Sequence, residues 1–192
     1  MHNIQKNLLE VPLDFENQIY TNVFQKKNKS LQETLQSSRY QKFEAYTKEN
    51  YSTSLSMMLG DFLYELKLNN DIFYKEFLNK YGDLDYSRFM LSDSSQYNLK
   101  GVYFYYIDDE LKYIGRCRDS MHKRVNSGYG NISPKNCYID GQSTNCKVNA
   151  LVTQKRESVK LKIYPMNDIK EIEELESQLI DELMPEWNVR KK

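Results

Sequence analysis

The stretch Gly101 to Gly115, GVYFYYIDDELKYIG, constrains this chain more than any other. Val102 to Ile107 and Leu111 to Ile114 are nearly all β-branched, aromatic or aliphatic and flank the polar turn Asp108-Asp109-Glu110, which predicts a β-hairpin. The turn length decides which side chains meet. A three-residue loop at 108–110 pairs Ile107 with Leu111, Tyr105 with Tyr113 and Tyr103 with Gly115, placing Tyr103, Tyr105 and Tyr113 on one face; a two-residue loop sends Tyr103 and Tyr113 to opposite faces. Tyrosine suits a half-buried pleated surface, so packing alone accounts for any single one of them.

At 192 residues the chain can bury a real core, as one domain or as a small domain with an extension. Lys plus Arg and Asp plus Glu both number 27, so net charge does not point to nucleic acid. The distribution is more informative: Gly101 to Pro165 holds eleven basic and six acidic residues, and Met166 to Lys192 four basic and eight acidic. A basic middle beside an acidic end fits a phosphate-facing surface next to a carboxylate-bearing helix, and equally a solvated surface. No apolar run reaches membrane-spanning length and no signal-like core opens the chain, so a cytoplasmic protein without membrane contact is expected. Cys117, Cys137 and Cys146 form no CxxC pair, and adding His122 matches no zinc spacing, so free thiols are expected.

The first half reads as short amphipathic helices. Pro12 opens a predicted helix with Phe15, Ile19, Tyr20, Val23 and Phe24 at helical spacing. Ser30 and Glu33 spell a capping box, Leu55 to Leu66 a third apolar stripe, and Asp71 caps a fourth helix ended by Gly82. None carries an active-site pattern. The polar stretch Ser92 to Gln96 marks a linker, which divides the chain into a helical region 1–95 of unassigned role and a second region 96–192.

After the hairpin, Asp119 is a suitable N-cap for a short helix through Ser127 that carries His122, Lys123 and Arg124, with Arg116 and Arg118 just before it. Gly128 to Gly141 is rich in turn residues and contains Tyr129, Lys135, Asn136 and Tyr138; such a long loop often serves function or mobility. Thr144 or Asn145 caps a second helix through Arg156, and Val159 to Tyr164 alternates as a third strand should.

Asp168 with Glu171 opens a last helix that ends before Pro185. At about 100° per residue its apolar residues Ile169, Ile172, Leu179, Ile180 and Leu183 cluster within about 60° of Glu176. A carboxylate on a buried stripe needs compensation. Two partners satisfy it: a buried Arg or Lys in a salt bridge, or a divalent metal ion facing the hairpin.

Gly101-Val102-Tyr103 followed by Tyr113-Ile114-Gly115, with Leu175-Glu176-Ser177-Gln178-Leu179-Ile180 and Pro185-Glu186-Trp187-Asn188 downstream, resembles the motifs of the GIY-YIG nuclease superfamily. The resemblance spans Gly101 to Asn188 and leaves residues 1–95 outside it. It implies an α+β fold: a small three-stranded antiparallel sheet flanked by helices in the order β-β-α-α-β-α, here with a helical N-terminal region. It also implies a metal-dependent DNA endonuclease in which Glu176 binds Mg²⁺ or Mn²⁺. Tyr103, the first candidate, orients or deprotonates the attacking water, supported by Tyr113. The family arginine on the first helix contacts the scissile phosphate; its usual spacing lands on Lys123 and the next residue is Arg124, which Val125 favours, so both stay open. Tyr129 stands one residue beyond a position where relatives carry Tyr or His. Arg116, Arg118, Lys123, Tyr129, Lys135 and Asn188 are the expected substrate contacts. Double-stranded DNA is the expected partner, and a homodimer the expected way to cut both strands. The small chain, without an obvious zinc finger, suits a restriction or phage-defence enzyme, with a structure-specific repair or recombination nuclease and a catalytically silent nucleic-acid-binding module as alternatives.

Overall fold

The computed structural model describes residue 4 and residues 6–188. The fold is α+β. Strands β1 (Leu9–Glu10), β4 (Gly101–Ile107), β5 (Glu110–Cys117) and β6 (Val159–Pro165) form a four-stranded sheet in the order β1-β6-β4-β5, and β2 (Leu13–Tyr20) pairs with β3 (Tyr86–Leu91) in a two-stranded sheet. The helices are α1 (Leu31–Leu35), α2 (Glu44–Asn50), α3 (Leu59–Leu68), α4 (Met121–Arg124), α5 (Ser143–Gln154) and α6 (Ile169–Leu183), with 3₁₀ turns between them. No helix among the described residues is long and apolar enough to cross a membrane.

The chain forms two compact units: Met1–Gln18, Ser87–Asn131 and Leu151–Lys192 make the first, and Ile19–Tyr86 with Ile132–Ala150 the second. The division expected at residue 95 therefore falls inside the first unit. The linker expected at 92–96 is a short 3₁₀ turn, Ser94–Gln96, in which the Asp93 side chain accepts from the Ser95 N–H.

In the first unit the hairpin forms, with a different turn from the one expected. Asp108 and Asp109 take φ of 48° and 64°, a two-residue turn of left-handed residues whose twist matches the strands. Tyr106 then pairs with Leu111 while Tyr105 still pairs with Tyr113, so the register shifts by one residue there. Lys112 is the extra residue of this bulge. It restores the phase that a plain two-residue turn would have lost: Tyr103 lies opposite Gly115, and Tyr103, Tyr105 and Tyr113 share a face. On the other face Val102, Phe104 and Ile114 pack against Ile172 and Leu179 of α6.

The three-stranded sheet gains a fourth strand at its β6 edge, where Leu9 faces Ile163 and Glu10 faces Lys162. The helix expected from Pro12 is instead β2. Phe15 packs against Phe89 of β3 with ring centroids 5.2 Å apart, a tertiary pairing that overrides the helical spacing of Phe15, Ile19 and Tyr20. Only Val23–Lys26 of that segment is helical, as a 3₁₀ turn. Ile169, expected on the inward stripe of α6, is exposed in its first turn.

The second unit holds α1, α2, α3 and a core of Phe24, Leu31, Phe62, Leu63, Phe77 and Tyr138. The Ser30–Glu33 capping box is formed in both directions. Asp71 caps a 3₁₀ helix, Ile72–Phe77, that stops well before Gly82. The loop predicted over 128–141 is partly ordered by a 3₁₀ turn, Pro134–Cys137, closed by reciprocal Ser133 and Asn136 contacts. Cys117, Cys137 and Cys146 are buried free thiols.

Candidate active site

The tyrosine face of the hairpin carries the candidate site. The Tyr103 hydroxyl lies 2.8 Å and the Tyr113 hydroxyl 3.2 Å from that of Tyr129, so Tyr129 joins two phenols from neighbouring strands. Tyr105 completes the cluster, with ring centroids 6.1 Å from Tyr103, 6.3 Å from Tyr113 and 6.5 Å from Tyr129. Its buried hydroxyl has no hydrogen-bond partner among the described residues. Gly115 makes the arrangement possible: a Cβ there would stand 2.3 Å from the Tyr103 hydroxyl oxygen, so the ring occupies the space that any other side chain would fill.

Tyr129 is held by the backbone around it. Helix α4 is capped by Ser120, not Asp119, with the Ser120 Oγ accepting from the Lys123 N–H. Beyond Arg124 it widens into a π turn, Val125–Tyr129, in which the Gly130 N–H reaches Val125 O at 2.8 Å. Strand β3 grips this turn: the Phe89 N–H donates to Gly130 O at 3.1 Å and the Leu91 N–H to Asn126 Oδ1 at 3.0 Å. The wide turn carries Tyr129 one residue further than a regular helix would.

Arg124 is half-buried with its guanidinium carbon 5.9 Å from the Tyr129 ring centroid. Lys123 is exposed. The two candidates for the phosphate are thus distinguished by rotation about the helix, and only Arg124 faces the phenols. His122 packs on Tyr97, ring centroids 4.7 Å apart.

Burial pushes the Tyr103 phenol well above its ordinary range, reinforced by Tyr129 and Tyr113 and opposed by Arg124. Burial likewise raises Tyr113, with added effects of Tyr129 and the Glu176 carboxylate. Tyr103 is only 1% exposed whereas Tyr113 is 9% exposed, which makes Tyr113 the more open of the two motif phenols.

Glu176 lies where the helical periodicity of α6 places it, its side chain only 15% exposed. Its compensating partner is Arg116: Nη1 donates to Glu176 Oε2 at 2.7 Å. Burial still raises the carboxyl above its ordinary range, with Arg116 and then Arg124 opposing. Arg116 Nε also lies 3.8 Å from Glu173 Oε1, which accepts from Arg118 Nη1 at 2.8 Å. Glu173 and the ladder Arg118–Glu173–Arg116–Glu176 escaped sequence reasoning; the spacing of Glu173 and Glu176 at i and i+3 on α6, against Arg116 and Arg118 at alternate positions, was the available signal.

Two expected substrate contacts have other surroundings. Asn188 clips the backbone of β5, its Oδ1 accepting from the Ile114 N–H at 2.9 Å and its Nδ2 donating to Ile114 O at 2.8 Å. Lys135 is an exposed residue of the second unit. Among the described residues no three His, Cys, Asp or Glu side chains form a group able to hold a metal ion. A lone half-buried carboxylate still suits Mg²⁺, which keeps several waters and takes further ligands from substrate phosphates. The chain matches no protein-family model, no curated protein and no solved structure.

Proposed function

We propose that this chain is a metal-dependent DNA endonuclease of GIY-YIG type that hydrolyses phosphodiester bonds in double-stranded DNA, as a restriction or phage-defence enzyme acting as a homodimer. The observation that carries the proposal is the meeting of Tyr103, Tyr113 and Tyr129 around one set of hydroxyls, with Arg124 against them and the inward Glu176 held by Arg116 of the same hairpin. The order β4-β5-α4-α5-β6-α6 supports the β-β-α-α-β-α core that the resemblance implies.

Phosphodiester hydrolysis requires a positioned water, neutralised phosphate charge and help for the leaving oxygen. Glu176 would hold Mg²⁺ or Mn²⁺, which when bound supplies positive charge to the phosphate and leaving oxygen. Arg124 contacts a non-bridging oxygen with a charge-assisted hydrogen bond. Tyr113, the more open motif phenol, meets the water, and Tyr129 passes its hydrogen-bond polarisation to Tyr103 behind it. This moves the water-facing role from Tyr103, the first candidate, to Tyr113. A phenol raised by burial does not ionise unaided at neutral pH, so its proton must pass to solvent as positive charge arrives at the site, leaving a phenolate that takes a proton from the attacking water.

The Arg116–Glu176 ion pair favours a second reading, a silent nucleic-acid-binding module in which that salt bridge is the glutamate's whole role. Supercoiled plasmid incubated with Mg²⁺ separates the two. Discrete bands abolished by EDTA support the endonuclease, and a smear supports structure-specific or nonspecific cleavage. Binding without cutting, on methylated, unmethylated and branched DNA alike, supports the module.

A further inference from the structure

The same ion pairs connect the two ligands of the proposed site. Glu176 is shielded from solvent and satisfied by one guanidinium at 2.7 Å, so a metal ion must displace Arg116 or share the carboxylate with it. Arg116 is itself 39% exposed and has a second carboxylate, Glu173, 3.8 Å from its Nε. It can leave Glu176 without being stranded. Arg118, 51% exposed, is bound to that same Glu173 at 2.8 Å. The ladder is therefore neutral when closed: two guanidiniums neutralise two carboxylates, and neither pair is free for an outside ligand.

From this we propose that the ladder is a latch coupling metal and DNA binding. An incoming phosphate takes Arg116 and Arg118 from the carboxylates, which opens Glu176 to the cation; a cation arriving first takes Glu176 and turns Arg116 toward the phosphate. Each ligand alone must break the ladder, and the second to arrive finds it broken. The free energy of breaking it enters once, so the two ligands bind with positive cooperativity, and linkage makes the effect reciprocal. Partly exposed ion pairs are weak, which places the coupling near the low end of the usual range, about tenfold in affinity. Without DNA, the latch keeps the carboxylate paired with arginine and lowers its affinity for metal. The inference rests on the nuclease reading for the identity of its two ligands.

Isothermal titration of Mn²⁺ into the full chain, alone and with a mixed-sequence DNA duplex, tests it without relying on cleavage. The native protein should bind Mn²⁺ about tenfold more tightly with duplex present. Arg116→Ala should bind Mn²⁺ without DNA more tightly than the native protein does, and duplex should raise its affinity by a clearly smaller factor than it does in the native protein. Arg116→Gln, which keeps a hydrogen-bond donor without the charge, should behave in the same direction and guards against misfolding of the alanine variant. Arg116 variants that bind Mn²⁺ no better than native without DNA, while Glu176→Gln abolishes binding, would overturn the latch and leave the metal site standing. Equal Mn²⁺ affinity in native and Glu176→Gln, or no binding by native protein in either condition, would overturn both the latch and the metal role of Glu176.

Discussion

Replacing Gly115 with alanine tests the geometry of the tyrosine cluster at its tightest point. The new Cβ would lie 2.3 Å from Oη, 2.4 Å from Cζ and 2.9 Å from Cε2 of Tyr103, well inside van der Waals contact. Tyr103 is buried and packed against Tyr105, Tyr113 and Tyr129, so its ring cannot swing aside freely. Overpacking of this kind costs about 1–3 kcal/mol. Displacing the ring also breaks the 2.8 Å bond to Tyr129, another ~1 kcal/mol. The sum, roughly 2–4 kcal/mol, should appear in urea unfolding as a lower midpoint with an unchanged slope. The penalty belongs to the pair, so it should shrink when Tyr103 is also truncated: a Gly115→Ala, Tyr103→Ala double mutant should be about 1–3 kcal/mol more stable than the sum of the single effects. A Gly115→Ala protein within about 0.5 kcal/mol of native, or strictly additive effects, would refute the assignment of Tyr103 to the space above Gly115.

Three further outcomes follow from the same structure. Tyr105→Phe removes a buried hydroxyl without a partner among the described residues, so it should be neutral or stabilising by up to ~1 kcal/mol in the same denaturation assay. Asn188→Ala loses both bonds to Ile114 and should cost about 1–2 kcal/mol, with faster amide exchange at Ile114. Burial raises the Glu176 pKa above its ordinary 4.5, so the folded state holds that proton more tightly than the unfolded one. This contribution to stability is fully present below pH 4.5 and is lost as pH rises through the folded value. Thermal unfolding from acid to neutral pH should therefore show Glu176→Gln gaining on native protein as pH rises across that window; a difference independent of pH would contradict it.

How much was legible in the chain depends on the range over which each feature is determined. The hairpin is local, and its facing pairs Tyr103–Gly115 and Tyr105–Tyr113 follow from alternation. The bulge at Lys112 was not legible because a two-residue turn plus one bulged residue and a three-residue turn leave the same phase beyond it. The inward position of Glu176 follows from helical periodicity alone, whereas its partner Arg116 lies on a strand sixty residues earlier, beyond any periodicity. Strand β1 was missed for the same reason: Leu9 pairs with Ile163, and two residues carry no alternation to detect. Residues 13–20 had helical spacing, but Phe15 found its partner in Phe89. Which of Lys123 and Arg124 faces the phenols depends on the rotation of α4 relative to them, which only the three-dimensional structure supplies.

Glu176, paired with Arg116 in the protein alone, is proposed to become the metal-binding carboxylate when DNA is cut. Single-turnover cleavage of plasmid in Mg²⁺ by native protein and by Glu176→Ala, with DNA binding measured in parallel, tests it most directly. The variant should still bind DNA while its cleavage rate falls by about 10²–10³-fold, the loss expected when one charge-stabilising group is removed. Cleavage at the native rate by Glu176→Ala would contradict it.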